Sequence, residues 1–322
     1  MLLILLKLLA GLALIVIGAD KLVDGASSIA RPSGISEFVI GMTIVGIGTS
    51  APEMVVSLVG AFEGNADIAI GNVVGSNIIN MLFGLGITAL IFPLMITRGN
   101  RLRDLPLHLG CTALVLLLGM TGLLFPWLGI HDTTLSRIDG VILLLAFALY
   151  IWYTFKSGEV PGEEESGAGK TWSLGLSALM IVLGLVALVF GGRLFVGGAT
   201  GLARALGASD KFIAITVLAV GTSLPEMATC IVAAAKKRAQ LALGNIIGSN
   251  IFNLLLILGV SATITPLSCL GMDFADALVL ILGAVLLVIA SWTGKRVKLG
   301  RINGLLLLLT WVAYMAWLIY NL

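Results

Sequence analysis

Two polar motifs occur twice in this chain, at one common offset. Gly48-Thr49-Ser50-Ala51-Pro52-Glu53-Met54 returns as Gly221-Thr222-Ser223-Leu224-Pro225-Glu226-Met227. Gly71-Asn72-Val73-Val74-Gly75-Ser76-Asn77-Ile78-Ile79-Asn80 returns as Gly244-Asn245-Ile246-Ile247-Gly248-Ser249-Asn250-Ile251-Phe252-Asn253. Each copy lies 173 residues from its match. Weaker matches keep the same register: Gly18 with Gly191, Arg31 with Arg204, Gly34 with Gly207, Pro93 with Pro266. All four motifs are embedded in apolar sequence, where polar side chains are costly and mark function. Any fold for this chain must therefore bury the same polar unit twice.

The solvent for that fold is a bilayer. Of 322 residues, 59% are hydrophobic and 11% are charged, against about 25% charged in a soluble domain. Several apolar runs reach the roughly 20 residues that a spanning helix needs. A retained first span fits the N-terminal stretch better than a cleaved signal, because its apolar run continues to about Gly18 without a convincing cleavage site. Cys111, Cys230 and Cys269 show no CxxC spacing, so neither a disulfide framework nor a metal cluster is expected. The net charge of +2 has no concentrated basic patch behind it, and no nucleic-acid partner is expected. Gly169-Lys170-Thr171 lacks the first glycine of a phosphate-binding loop, since Glu164 stands there, and no nucleotide site is expected.

The periodicity predicts an all-α membrane protein of ten spans: 2–20, 35–62, 66–92, 104–126, 137–156, 172–195, 209–235, 240–264, 273–293 and 302–320. The hydrophilic stretch from Ser157 to Lys170 divides them. The expected organisation is a first five-helix repeat over 1–156, a cytoplasmic linker over 157–171 and a second five-helix repeat over 172–322. Five is odd, so the second copy enters the membrane from the opposite side. Such inverted repeats are a common transporter plan, with substrate held near the midplane by broken helices. Of 19 Lys and Arg residues, 14 fall on the linker side. The excess of positive charge predicts a cytoplasmic linker, with both termini outside the cytoplasm, in a multi-pass protein of the cell membrane.

Glu53 and Glu226 fall near the centres of spans two and seven. A lone charged carboxylate there costs about 2.5–3.5 kcal/mol, and a facing pair also repels. Either a cation lies between them or they carry protons. Pro52 and Pro225 have no N–H, so the carbonyls of Gly48 and Gly221 lose their helical partners and each helix should kink, beside the hydroxyls of Thr49, Ser50, Thr222 and Ser223. Ser76 and Asn80 share one helix face, as do Ser249 and Asn253. This set is rich in oxygen and suits a hard cation such as calcium, which takes about 6–8 oxygens. No thiolate or imidazole recurs in both copies, which argues against zinc or copper. Glu37 and Asp210 match at the offset and are read as helix-start charges. His108 and His131 are read as interfacial, Cys230 as packing, and the GxxxG pairs Gly71/Gly75 and Gly244/Gly248 as points of close helix approach.

The doubled GTSxPE and GNxxGSNIxN motifs resemble the alpha-repeats of the calcium/cation antiporter superfamily, the group that contains the sodium/calcium exchangers. The resemblance covers essentially the whole chain. It implies a secondary antiporter that moves calcium against sodium or protons by alternating access, with spans one and six sliding over a more rigid core. It also implies roles for particular residues. Glu53 and Glu226 would coordinate calcium, with the carbonyls of Thr49 and Thr222. Gly46, Ser50 and Ser76 would line one flanking sodium site, and Ala219, Ser223 and Ser249 its mirror image. Asn80 and Asn253 would occupy the two central positions of spans three and eight. Many sodium/calcium exchangers have aspartate where Asn253 stands, and the GNxxE glutamate of proton-coupled relatives is missing from both copies.

The expected partners are therefore calcium, a monovalent counter-ion (sodium, with protons as the alternative) and the bilayer, with no cofactor. A calcium channel is the competing class, but a channel more often forms its filter from a symmetric ring of subunits. An enzyme is not expected, because Ser50 and Ser223 have no paired base in either motif.

Overall fold

A computed structural model of the chain describes residues 2–33, 35–124, 133–156, 172–207, 219–292 and 298–320. The linker, His131, Asp210 and the first half of span seven lie outside the described residues. The protein is all-helical. Among the described residues eight helices are long and apolar enough to cross a membrane, and one further pair, Glu37–Thr49 with Ala51–Phe62, meets at a 49° bend.

In chain order the helices are α1 (Leu2–Ser33), α2 (Glu37–Thr49), α3 (Ala51–Phe62), α4 (Ala66–Ile91), α5 (Asn100–Gly119) and α6 (Arg137–Lys156). They continue with α7 (Leu174–Ala205), α8 (Ala219–Thr222), α9 (Leu224–Ala235), α10 (Ala239–Ile264), α11 (Phe274–Trp292) and α12 (Arg301–Tyr320). A short helix, Thr121–Leu124, follows α5.

Burial sorts these helices into a centre and a rim. α10 is buried along nearly its whole length, and α4 over most of it. The rim helices α1, α6, α7 and α12 expose rows of large aliphatic residues, among them Leu9, Leu145, Val182 and Leu309. That is the pattern of helices whose outer face meets lipid.

α1 and α7 are longer than the sequence suggests, at 32 residues each. Asp20, Lys21 and Asp24 suggest a helix end, yet α1 runs on through them. Lys236 explains the difference. Its Nζ lies 2.7 Å from Asp20 and pairs also with Asp24, so the charges are compensated within the fold. The two long helices run antiparallel with their backbones close together. A Cβ on Gly18 would meet the Gly184 carbonyl, and one on Gly191 would meet Gly11 and Ile15.

α5 also departs from expectation. It starts at Asn100 rather than 104, because Asn100 and Thr97 cap one another: Thr97 N and Oγ1 donate to Asn100 Oδ1 at 3.0 and 2.9 Å. His108 therefore sits two turns inside the helix and is buried, not interfacial.

Two short antiparallel ladders close the ends. β1 (Leu94–Met95) pairs with β4 (Lys298–Leu299), and β2 (Thr134–Leu135) pairs with β3 (Leu267–Ser268). Leu94 faces Leu299 and Leu135 faces Leu267, and all four are buried. Each ladder joins a loop from one copy of the repeat to a loop from the other.

Candidate cation site between two broken helices

The two GTSxPE motifs break their helices in the same way. Ser50 separates α2 from α3 with φ −81° and ψ 8°, and Ser223 separates α8 from α9 with φ −84° and ψ 1°. The prolines stand in the first turns of α3 and α9, where a missing N–H costs nothing. The break directs the two glutamates and the neighbouring hydroxyls into the protein centre. Glu53, Glu226, Ser50 and Ser223 are all fully buried.

Each glutamate is held by the other copy of the repeat. Ser50 Oγ donates to Glu226 Oε1 at 2.8 Å, and Ser223 Oγ donates to Glu53 Oε1 at 3.4 Å. Ser76 Oγ on α4 also donates to Glu53 Oε1, at 3.3 Å, and lies 3.5 Å from Thr222 Oγ1. On the mirror side, Thr49 Oγ1 lies 3.4 Å from Ser249 Oγ on α10 and donates to Asn245 Oδ1 at 3.2 Å. The second oxygen of each glutamate, Oε2, is buried with no hydrogen-bond partner among the described residues.

The two helices that carry Ser76 and Ser249 also carry buried amides one turn further on. Asn80 and Asn253 occupy matched π-helical turns, Ile79–Gly84 in α4 and Phe252–Ile257 in α10. A π turn widens the helix by one residue and often marks a functional position. Asn80 Nδ2 donates to Asn250 Oδ1 at 3.3 Å, which leaves Asn80 Oδ1 without a partner among the described residues; both amide atoms of Asn253 are also unpartnered there. Unsatisfied buried oxygens are rare and ask for an explanation. Four of them here, two carboxylate and two amide, suit a hard cation whose lost hydration must be replaced by oxygen. Among the described residues no group of three His, Cys, Asp or Glu could hold a metal. The buried carboxylates at the two breaks are Glu53 and Glu226, with neutral hydroxyl oxygens around them.

The Gly46 carbonyl is a meeting point of hydrogen bonds from both copies. It accepts from Ser50 N at 3.1 Å, Ser249 Oγ at 3.2 Å and Thr49 Oγ1 at 3.3 Å.

A protein-family model described as sodium/calcium exchanger protein matches residues 3–156 and 176–320. The chain belongs to the sodium/calcium exchanger family. An Alkalimonas amylolytica protein that carries the provisional name antiporter CaxA is 38% identical over 95% of both chains. The sodium/calcium exchanger MaX1 of Methanosarcina acetivorans is 32% identical over 97% of both. The solved structure of the sodium-calcium exchanger NCX_Mj, soaked with sodium and without calcium, superposes with a TM-score of 0.82 at 33% identity, covering 98% of each chain. The exchanger family is one of integral, multi-pass membrane transporters, and the helical fold described above is theirs.

In this exchanger the expected site residues Glu53, Glu226, Thr49, Thr222, Ser50, Ser223, Ser76, Ser249 and Gly46 converge through the contacts given above. Asn80 and Asn253 are buried on α4 and α10. Ala219 begins α8, and its side chain lies outside the described residues. Sequence reasoning missed Asn72 and Asn245 as positioning residues. Asn72 Nδ2 donates to the Glu53 carbonyl at 3.0 Å, and Asn245 Nδ2 to the Glu226 carbonyl at 3.1 Å. Their signal is present in the chain, since both stand second in the doubled GNxxGSNIxN motif. Ser57 and Cys230, also matched, cap carbonyls of Ala69 and Ala242, in keeping with a packing role. Gly244 and Gly248 do bring α10 against α2, where their Cβ atoms would strike Phe38 and Met42 backbone; Gly71 and Gly75 meet no described atom within 4 Å. Glu37 stands in the first turn of α2 and pairs with Arg238.

Proposed function

We propose that this exchanger moves calcium across the cell membrane in exchange for sodium, by alternating access, through ten spans arranged as two inverted five-helix halves. The observation that carries the reading is the pair of buried glutamates, each bound by a serine of the other repeat and each presenting one unpartnered oxygen. Two carboxylates carry −2, which balances one divalent ion. The hydroxyl oxygens of Ser50, Ser76, Ser223 and Ser249 keep lone pairs beyond the hydrogen bonds they donate, and these suit a second, hard cation such as sodium. Neutral Asn80 and Asn253 add ligands without adding charge.

The inverted arrangement is supported by how the connections group. Asp20, within α1, meets Lys236 of the α9–α10 turn, and Asp67 in the first turn of α4 meets Gly271 of the α10–α11 connection. With the excess of basic residues on the linker side, this supports a cytoplasmic linker and outward-facing termini.

Proton coupling is the second reading, favoured by the same charge count, since −2 also balances two protons. Purified exchanger in vesicles decides between them. Calcium uptake should follow an outward sodium gradient at fixed pH. Uptake driven only by a pH gradient would transfer the coupling to protons. Calcium flux that needs no counter-ion would make the protein a channel.

A further inference from the structure

Two matched positions of the repeat carry charges of opposite sign. Asp20 on α1 matches Arg193 on α7, and Lys236 after α9 matches Glu63 after α3, both at the 173-residue offset. The turns correspond in backbone too. The residues that follow, Gly64 and Lys237, both have positive φ, 70° and 60°.

One of these two pairs is formed in the structure. Lys236 bridges Asp20 and Asp24 and donates to the Asp20 carbonyl at 3.2 Å, tying α1 to the α9–α10 turn. Glu63 and Arg193 are both exposed, and neither has an ion pair among the described residues. An arginine on a spanning helix is costly unless it pairs or meets water. The two positions lie at different levels of the antiparallel α1–α7 pair. Gly18 packs at the level of Gly184, so Asp20 and Arg193 are about ten residues of helix apart, roughly 15 Å.

We infer that Asp20–Lys236 and Glu63–Arg193 are two ionic latches that close in opposite conformations of the transport cycle. The inference rests on the alternating-access reading above. In a transporter made of two matched halves, the second conformation arises when one bundle shifts against the other and the halves exchange arrangements. The contact between α1 and the α9–α10 turn then becomes a contact between α7 and the α3–α4 turn. Reversing both signs keeps that second contact attractive, whereas reversing one would make it repulsive. The latches differ in strength. Asp24 adds a second carboxylate to the closed one, whereas its match is Gly197, which has no side chain to contribute, so the other latch is a single pair. The difference biases the exchanger toward the conformation described here.

Full-length exchanger with Cys111, Cys230 and Cys269 replaced carries the test. Glu63→Cys with Arg193→Cys should form a disulfide in native membranes under mild oxidant. Adding Lys236→Gln opens the first latch and should speed that cross-link by about two- to five-fold, the range for a solvent-exposed ion pair. Glu63→Arg and Arg193→Glu should each slow exchange, and the double reversal should restore most of the loss. Absence of the cross-link, or a rate unchanged by Lys236→Gln, overturns the latch, as does a double reversal no faster than the singles. Cross-linking needs no transport to be read, so wild-type vesicles that fail to move calcium would count against the antiport reading alone.

Discussion

Ser50 and Glu226 stand 176 positions apart and are joined by a 2.8 Å hydrogen bond at the protein centre. The hydroxyl comes from the break in one helix and the carboxylate from just beyond the break in another. Ser223 and Glu53 repeat the relationship in reverse. The site is thus shared at the level of single side chains, and neither copy of the repeat contains it alone.

Removing either charge should stop transport. Glu53→Gln and Glu226→Gln keep the size of the side chain and the serine contact, but leave one carboxylate for a divalent ion. Calcium uptake should fall more than about tenfold in each, a change that needs only about 1.4 kcal/mol. Retention of fold is checked by the elution profile and thermal stability of the purified variants. Uptake at wild-type level in either would move the site elsewhere.

On the proposed reading, the serine hydroxyls distinguish sodium from calcium. Ser50→Ala combined with Ser223→Ala removes neutral ligands from the flanking positions and leaves both carboxylates. Sodium-driven exchange should drop more than equilibrium calcium binding, read by isothermal titration on the same preparation. An equal loss of both would mean these hydroxyls do not serve sodium.

Close packing between α2 and α10 makes a stability prediction. A Cβ on Gly248 would overlap Met42 backbone, which cannot swing aside as a side chain can. Gly248→Ala should destabilise by about 1–3 kcal/mol, seen as a lower melting temperature in detergent. Gly110, exposed on α5 with no described atom within 4 Å of its Cβ position, is the control. Gly110→Ala should be neutral or stabilise by up to about 1 kcal/mol.

Topology is tested independently of transport. A cysteine introduced between Ser157 and Lys170, in a background without the three native cysteines, should resist an impermeant thiol reagent in intact cells. It should react once the cells are opened. Rapid labelling from outside would reverse the orientation.

The site is legible in the sequence because its polar residues are doubled against an apolar background. Glu53, Glu226 and the surrounding serines can be named from the motifs, and the structure brings them together. The missing parts are those set by tertiary pairing. Lys236 is far from Asp20 in the chain, so the length of α1 is hidden behind charges that look like a helix end. The capping exchange between Thr97 and Asn100 hides the start of α5 and with it the burial of His108. The π turns around Asn80 and Asn253 have no marker such as Pro, and the cross-copy partner of each serine cannot be read from either motif.

The two short ladders restrict how such a protein can move. β1–β4 fastens a loop of the first copy to a loop of the second, and β2–β3 does the same with another pair of loops. Parting the copies along that seam would break both ladders. Motion is left to elements that no ladder holds. α1 and α7 are the longest of these, bound to each other backbone to backbone along a track of glycines. In the alternating-access cycle proposed above they would be the sliding bolt, and the clamped helices the frame through which it travels.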